Sequence, residues 1–368
     1  MKRIFCSLIL WGVVALMSVA APKLKFYDAQ QFTLVGKLMP GTFNPYHRID
    51  TVKYKGFDKK ELLQVRESAG MSIAFKTSSR TIAVKCEFGD VEWPQNSTGI
   101  AAHGFDLYIK KDGAWRWAGS GARSQETLNK ALNLATSMDG TEHECLLYLP
   151  LFAEVNKLEI GVDADAPIAP SPNPFRHRIA IFGSSFTHGT STSRPGLTYP
   201  AQFCRMTGLQ LLGLGCSGHS KLQPYFAEAL ADVDADAFIF DSFSNPTAKE
   251  IKERLFPFIE RLQKAHPGKP LIFQQTIDRE YCAFNTARAK SEAEKKEMAE
   301  TLMAEAVKKY KDVYFIHPNA TSPDHEASVD GIHPTNYGYT LWAKSIVPQV
   351  LEIRHATAPT TGAKHWHR

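Results

Sequence analysis

A serine and an aspartate–histidine pair are the residues of this chain whose types and spacing fit acyl-transfer chemistry. Ser185 follows the apolar segment 178–182, so it is expected at the carboxyl end of a strand. Serine is a weak nucleophile at neutral pH and needs a base within hydrogen-bond reach. Asp330 and His333 are close enough in sequence to share one side of a single turn. The pattern predicts that His333 accepts the Ser185 proton while Asp330 holds the imidazole in the required tautomer.

The alternative for the Asp330–His333 pair is a surface loop ahead of a predicted helix at 337–351, since such pairs also occur by chance. The place of this pair in the sequence favours the catalytic interpretation. The pair follows the last predicted strand, and its loop therefore returns to the sheet edge that carries Ser185.

Donors for a developing oxyanion are predicted after two further strands. The glycine-rich run 213–218 follows one strand, and Asn245 follows the next. A glycine N–H can approach a substrate closely because no Cβ stands beside it. We predict an oxyanion hole made of the Ser185 N–H, the Gly218 N–H and the Asn245 side-chain amide. The alternative is that Gly218 and Asn245 serve only as turn residues.

The C-terminal half has the elements that this arrangement requires. Apolar strand candidates alternate with helix-like stretches, which predicts an α/β fold with a mostly parallel sheet between helices. Sites in such folds form at the carboxyl ends of the strands. The clearest helix covers 291–310, with Met298, Leu302, Ala306 and Tyr310 on its buried stripe. The strand candidates are 179–182, 209–214, 237–240, 271–273 and 313–316.

The N-terminal half has a different pattern. Apolar residues recur with period two between about 25 and 162, and glycines and prolines interrupt them at turn-like intervals. This predicts an all-β sandwich, of jelly-roll type, over 22–166. Four prolines crowd the next segment, so we place a linker at 167–176 and the second domain at 177–354. The tail 355–368 is predicted to be disordered.

Residues 1–21 are predicted to be a signal peptide. Lys2 and Arg3 precede an apolar run that ends in small residues, and a membrane anchor is the alternative. Export would place the protein in the periplasm or outside the cell, with no membrane span left after cleavage. Without Lys2 and Arg3 the formal charge falls from +5 to +3. So small a charge does not predict a nucleic-acid partner.

Four sequence blocks in this order resemble the SGNH, or GDSL-like, hydrolases. The blocks are Gly183-Ser184-Ser185, Gly218, Asn245 and Asp330-Gly331-Ile332-His333. The segment Gly104-Phe105-Asp106-Leu107-Tyr108, together with Ser193-Arg194-Pro195-Gly196, resembles the subgroup with a Gly-x-Asp-Leu-Tyr module before the hydrolase. The resemblance implies a flavodoxin-like α/β/α hydrolase domain and a Ser185–His333–Asp330 triad. Ser184, Gly213, Ser242 and Ser244 depart from the family pattern, which affects substrate details more than mechanism.

The function predicted from these observations is an exported serine esterase that removes short acyl groups, O-acetyl above all, from carbohydrate. A lysophospholipase or thioesterase is the alternative within the enzymes, and a non-catalytic glycan-binding protein is the alternative outside them. The sequence predicts neither a cofactor nor a metal site, and it leaves the oligomeric state open. His188 and His219 are interpreted as polar loop residues, and Trp115 and Trp117 as packing residues rather than a sugar platform.

Overall fold

The computed structural model describes residues 23–357. The predicted signal peptide, 1–21, lies outside the described residues, as does the predicted tail from 358 onward. Residues 355–357 are not tail but the end of a helix that begins at Asn336. This helix extends beyond the predicted end at 351 because Leu351 and Ile353 still pack against the core. None of the helices within 23–357 is both long and apolar enough to cross a membrane.

Two antiparallel sheets form the N-terminal half, as the period-two pattern predicted. One sheet has the strand order β1-β9-β4-β7 and the other β10-β3-β8-β5-β6, with β2 paired to β3. Inward side chains of both sheets, such as Val84 and Leu107, share one apolar cluster, so the half is a β-sandwich. Its elements are β1 Leu24–Asp28, β2 Thr33–Val35, α1 Lys59–Arg66, β3 Ser72–Thr77, β4 Ile82–Val91, α2 Gly99–His103, β5 Phe105–Lys111, β6 Ala114–Gly121, β7 Leu132–Ala135, β8 His143–Tyr148, β9 Ala153–Asp163 and β10 Ile168–Pro170.

A five-stranded parallel sheet forms the C-terminal half, and each predicted strand is present. The order β12-β11-β13-β14-β15 matches a flavodoxin-like sheet. Helices α4 and α8 pack on one face, and α5, α6 and α7 pack on the other. The elements are β11 Arg176–Gly183, α3 Ser185–His188, α4 Tyr199–Thr207, β12 Leu209–Gly215, α5 Pro224–Ala231, β13 Ala237–Asp241, α6 Ala248–Ala265, β14 Leu271–Gln274, α7 Thr286–Lys309, β15 Val313–Ile316 and α8 Asn336–Thr357.

The buried face of α7 is displaced from the predicted stripe. The fully buried apolar side chains are Ala299, Met303 and Ala306, while Met298 and Leu302 are only partly buried at the edge of the contact. The helix also begins earlier than predicted, where Asn285 caps it by accepting from the Arg288 N–H at 3.0 Å.

The sandwich and the parallel sheet share their cores. Leu38, Ile49 and Val65, from the segment that links β2 to β3, lie in the cluster on one face of the parallel sheet. Tyr108 and Tyr148 of the sandwich lie in the cluster on the other face. Of the predicted linker 167–176, residues 168–170 form β10 at an edge of the sandwich. The two halves are therefore packed together through apolar surface.

Candidate active site

Three neighbouring strand ends position the nucleophile segment. Gly183 of β11 is in register with Gly215 of β12 and with Asp241 of β13. Ser185 follows directly as the first residue of α3 and is only 6% exposed. A Cβ on Gly215 would collide with the backbone N of His188, so only glycine lets α3 lie this close to β12.

Ser185, His333 and Asp330 form one hydrogen-bonded chain. The Oγ of Ser185 lies 2.9 Å from Nε2 of His333, and Nδ1 of His333 lies 2.8 Å from Oδ2 of Asp330. The other carboxylate oxygen, Oδ1, accepts from the backbone N–H of His333 at 2.7 Å, which fixes the loop that carries both residues. The arrangement has the geometry for proton transfer from the serine to the imidazole.

The Asp330 carboxylate has a third partner that comes from the sandwich. Asn96, in the loop between β4 and α2, donates from Nδ2 to Oδ2 of Asp330 at 2.9 Å. Burial acts to raise the pKa of Asp330, but hydrogen bonds from the backbone and ring of His333 and from Asn96 outweigh it and lower the pKa to about 2. Asp330 is therefore ionised at neutral pH and available to orient the imidazole.

Asp241 organises the turn that carries Ser185. Its buried carboxylate accepts from the Ser184 backbone N–H at 3.1 Å and from the hydroxyls of Ser184 at 2.7 Å, Thr187 at 3.0 Å and Ser244 at 2.9 Å. Burial raises the pKa of Asp241, and these hydrogen bonds oppose that effect. Two departures from the family pattern, Ser184 and Ser244, thus hold one buried carboxylate. The sequence analysis missed Asp241, although it ends a strand beside the nucleophile strand.

The two remaining oxyanion candidates lie together. Gly218 and Asn245 line one cavity of ≈ 450 Å³, which Arg279 also lines. Oδ1 of Asn245 accepts from the Ser220 N–H at 3.2 Å, and this bond orients the side-chain amide. Arg279 lies 5.8 Å from the ring centroid of Phe186, the residue after Ser185, which places this cavity beside the nucleophile. Ser185 itself does not line the cavity, so the three-donor oxyanion hole stays a prediction.

A second cavity, of ≈ 560 Å³, opens where His333 meets the sandwich. Trp93 and Asn96 of the sandwich line it together with Thr190 and Ser217 of the C-terminal half. The catalytic candidates thus lie between two cavities, one formed within the C-terminal half and one shared with the N-terminal half.

The two histidines near the motifs, His188 and His219, have different surroundings. His188 lies in α3, is 1% exposed, and contacts the Leu151 carbonyl oxygen at 2.6 Å, so its interpretation as a loop residue was wrong. Burial, helped by the nearby Arg48, lowers the pKa of His188 to about 3, which keeps the ring neutral. His219 lies 3.5 Å from both Asp58 and Glu61.

Asp58, Glu61 and His219 are spaced closely enough to hold a metal ion. However, Asp58 and Glu61 already form the capping box of α1, which explains both carboxylates without a metal.

The five cysteines within 23–357 are free thiols, and four of them are buried.

The tryptophans of the sandwich divide into two groups. Trp115 is partly buried against the cluster that includes α4 and α8, so it is a packing residue as predicted. Trp117 is 55% exposed and lies beside the Arg194 guanidinium. Trp93, which the sequence analysis did not select, is the tryptophan that lines the cavity next to His333.

The Gly-x-Asp-Leu-Tyr segment joins the two halves. Asp106 is fully buried and accepts from Arg194 at 2.8 and 3.0 Å and from the Gly196 N–H at 2.9 Å. The hydroxyl of Tyr108 accepts from the same arginine at 2.7 Å. The segments 104–108 and 193–196, whose sequences suggested this subgroup, therefore contact each other directly.

Comparisons with known proteins agree with this architecture. The GDSL-like Lipase/Acylhydrolase family matches residues 176–351, and the N-terminus of SGNH-hydrolase-type esterases matches residues 24–168. A putative GDSL-like lipase from Bacteroides ovatus is 39% identical, with a TM-score of 0.87 over 90% of this chain and 98% of that one. No curated protein sequence matches the chain.

Two more distant structures share the fold. A salicylyl-acyltransferase from a tetracycline biosynthetic pathway is 19% identical, with a TM-score of 0.66 over 90% of this chain and 97% of that one. A family two carbohydrate esterase from Cellvibrio japonicus is 12% identical, with a TM-score of 0.59 over 91% and 99%. The chain therefore belongs to the GDSL-like lipase/acylhydrolase family of ester-bond hydrolases and carries the N-terminal module of SGNH-hydrolase-type esterases.

Proposed function

We propose that this protein is an exported serine esterase that removes short acyl groups, O-acetyl in particular, from carbohydrate. The observation that carries the proposal is the hydrogen-bonded chain Ser185–His333–Asp330, with distances of 2.9 and 2.8 Å. These three groups have the roles of nucleophile, general base and orienting carboxylate. A protein that had become a glycan-binding scaffold would have no need to retain all three in contact.

The reaction proceeds through an acyl-enzyme. Ser185 Oγ attacks the ester carbonyl while its proton passes to Nε2 of His333. The Ser185 N–H, the Gly218 N–H and the Asn245 amide stabilise the oxyanion. The C–O bond to the alcohol then breaks as His333 protonates the leaving oxygen. A water molecule next attacks the acyl-enzyme and gives its proton to His333, and the carboxylic acid leaves as Ser185 regains that proton.

The chemistry of the two cavities supports a short acyl group. Charged side chains line both: Lys60 and Glu92 form an ion pair in one, and Arg279 and Glu292 do so at 3.4 Å in the other. A long acyl chain would bury apolar surface against these charges, which is unfavourable. This lining favours the short-chain proposal over a lysophospholipase.

Export rests on the sequence of residues 1–21, which have the charge and apolar pattern of a signal peptide. Outside the cytoplasm, acyl-CoA is absent, which makes a thioesterase role unfavourable, and polysaccharides are available as substrates. Carbohydrate esterases with this fold, such as the Cellvibrio japonicus enzyme, are compatible with this choice, although at 12% identity they indicate fold rather than substrate.

The test compares wild type with Ser185→Ala on p-nitrophenyl acetate and octanoate and on acetylated xylan. We expect the wild type to prefer acetate, to release acetate from the polymer and to keep its activity in EDTA. Ser185→Ala should abolish turnover with little change in thermal unfolding. Ser191→Ala is the matched control, because it removes a nearby buried hydroxyl that has no hydrogen-bond partner within residues 23–357. Retained turnover in Ser185→Ala, or a preference for octanoate without acetate release, would contradict the proposal.

A further inference from the structure

The cavity between the sandwich and His333 has a composition that suits a polyhydroxylated ligand. Its volume of ≈ 560 Å³ lies within the range of small-molecule sites, about 300–1,000 Å³. Most of its lining comes from the N-terminal half, including Lys60, Gln64, Glu92 and Trp93. A catalytic domain that needed the sandwich only for stability would not require it to line a cavity beside the base.

Two buried polar atoms in this lining have no hydrogen-bond partner within residues 23–357. They are Oε1 of Gln64, a residue 1% exposed, and Oγ1 of Thr190, a residue 5% exposed. Leaving such atoms unpaired costs about 1–3 kcal/mol each. One is an acceptor and the other both donates and accepts, so the hydroxyls of a ligand would complete both once these two side chains rotate toward the cavity.

Trp93 adds an aromatic surface to the same cavity. It is 46% exposed, and its ring lies with the centroid 4.0 Å from that of His103, which supports it from within the sandwich. An indole combines a large apolar face with low conformational entropy. The C–H face of a pyranose ring packs well on such a surface while its hydroxyl groups remain free for hydrogen bonds.

The loop that carries Trp93 is fixed against the catalytic residues. Asn96 donates to Asp330 at 2.9 Å, and the Oγ of Ser97 accepts from the Ser191 N–H at 2.9 Å. Thr98 donates from its hydroxyl to the Ser193 carbonyl oxygen at 2.6 Å. These contacts hold the tryptophan at a defined place relative to the nucleophile, as binding without reorganisation requires.

The position of this cavity relative to His333 indicates which part of an ester it would bind. His333, which must protonate the leaving oxygen, lines this cavity, whereas Gly218 and Asn245, the candidate oxyanion donors, line the other. The alcohol half of the ester therefore belongs on the Trp93 side. The charged residues here are paired, Lys60 with Glu92 and Asp90 with Arg66, so the described residues of the lining offer no unpaired Lys or Arg for an acidic sugar.

We infer that this cavity is the subsite for the alcohol half of the substrate, and that this half is a neutral glycosyl unit. The sugar stacks on Trp93 and forms hydrogen bonds with Gln64 and Thr190. This inference rests on the proposed esterase function and assigns the N-terminal module a direct role in choosing the substrate.

The kinetic test uses three substrates and three variants. Trp93→Ala should lower kcat/KM on acetylated xylo-oligosaccharides by about tenfold, mainly through KM, and should lower it much less on ethyl acetate, whose alcohol half is too small to stack on the indole. Thr190→Val, which keeps the side-chain shape, should act in the same direction without lowering thermal stability. Trp117→Ala is the control for losing an exposed tryptophan of the same sandwich and should affect neither substrate. Acetylated galacturonate oligosaccharides should be poorer substrates than the xylo-oligosaccharides.

The outcomes separate this inference from the proposed function. Equal losses on the oligosaccharide and on ethyl acetate in Trp93→Ala, or a wild type that cleaves p-nitrophenyl acetate but no sugar acetate, would overturn the subsite and leave the esterase intact. If the wild type cleaves no ester, the function fails, and calorimetric titration of Ser185→Ala with the acetylated oligosaccharide still tests the cavity. Binding that Trp93→Ala abolishes in that background supports the subsite, and the absence of binding refutes it.

Discussion

A chain of hydrogen bonds that crosses from one half of the protein to the other fixes the ring of His333, the proposed general base. It runs from Asn96 through Asp330 and His333 to Ser185. Each bond restricts the next group: the amide fixes the carboxylate, and the carboxylate fixes the ring. The geometry of His333 thus depends on the sandwich as well as on the loop that contains Asp330 and His333.

Substitutions at Asn245 should separate oxyanion stabilisation from loop structure. Asn245→Ala should lower kcat by roughly 10²–10³, the usual cost of removing one oxyanion donor. The same change also removes the acceptor of the Ser220 N–H. Asn245→Asp is therefore the matched variant, because it keeps an acceptor and deletes the donor. If kcat recovers in Asn245→Asp, the residue acts by holding Ser220 and is not an oxyanion donor.

Asn96→Ala should change how the thermal stability of the protein depends on pH. With its pKa lowered to about 2, Asp330 stabilises the folded state above its unfolded pKa of about 3.9, and this contribution is lost as the pH falls toward 2. Removing the Asn96 donor raises the folded pKa and shrinks the contribution. The Tm of the variant should thus lie below wild type at pH 5 to 7 and converge with it between about pH 4 and 2. A Tm difference that stays constant across this range would argue against the electrostatic explanation.

At the scale of elements, the close approach of α3 to β12 sets the position of Ser185. The backbone of His188 lies where a side chain on Gly215 would begin, so the two elements meet backbone to backbone. Ser184 caps α3 by accepting from the Phe186 N–H at 3.2 Å, and Asp241 accepts from Ser184. The strand ends and the first turn of the helix therefore form one rigid support for Ser185.

Gly215→Ala should destabilise the fold and lower turnover together. The added methyl group must displace α3, and overpacking of this kind costs about 1–3 kcal/mol. Urea unfolding gives the free-energy change, and p-nitrophenyl acetate hydrolysis gives the loss of turnover. Gly41→Ala is the control, since nothing lies within 4 Å of the position of its Cβ. A normal kcat in Gly215→Ala would show that the position of Ser185 tolerates movement of α3.

The sequence predicted those parts of the structure that local patterns encode. Period-two alternation located the strands of the sandwich, apolar runs located those of the parallel sheet, and the short spacing of Asp330 and His333 correctly placed their side chains in contact. Asn96 and Trp93 were missed because their importance arises from long-range packing of a sandwich loop against the hydrolase half. The predicted stripe of α7 used a constant spacing of four residues, which drifts around a helix of 3.6 residues per turn, whereas the buried Ala299, Met303 and Ala306 follow spacings of four and three.

At the scale of the whole molecule, the two halves behave as one packed unit. The Asp106–Arg194 ion pair is largely buried at their junction, with side chains 0% and 19% exposed. Val65 of α1 is fully buried in the cluster of the parallel sheet, although it precedes most of the sandwich in sequence. An interface of shared apolar clusters and a buried ion pair disfavours independent motion of the two halves.

The full chain should therefore unfold in one cooperative transition. Val65→Ala removes apolar volume from the core shared with the hydrolase half, and Leu158→Ala does so within the sandwich. If the halves are coupled, each variant should move the entire calorimetric peak to lower temperature, by about 2–4 °C for each kcal/mol lost. Loss of p-nitrophenyl acetate hydrolysis and loss of β-sheet circular dichroism should follow the same curve. Two resolved peaks, with Leu158→Ala shifting one and Val65→Ala the other, would show that the sandwich and the hydrolase half fold independently.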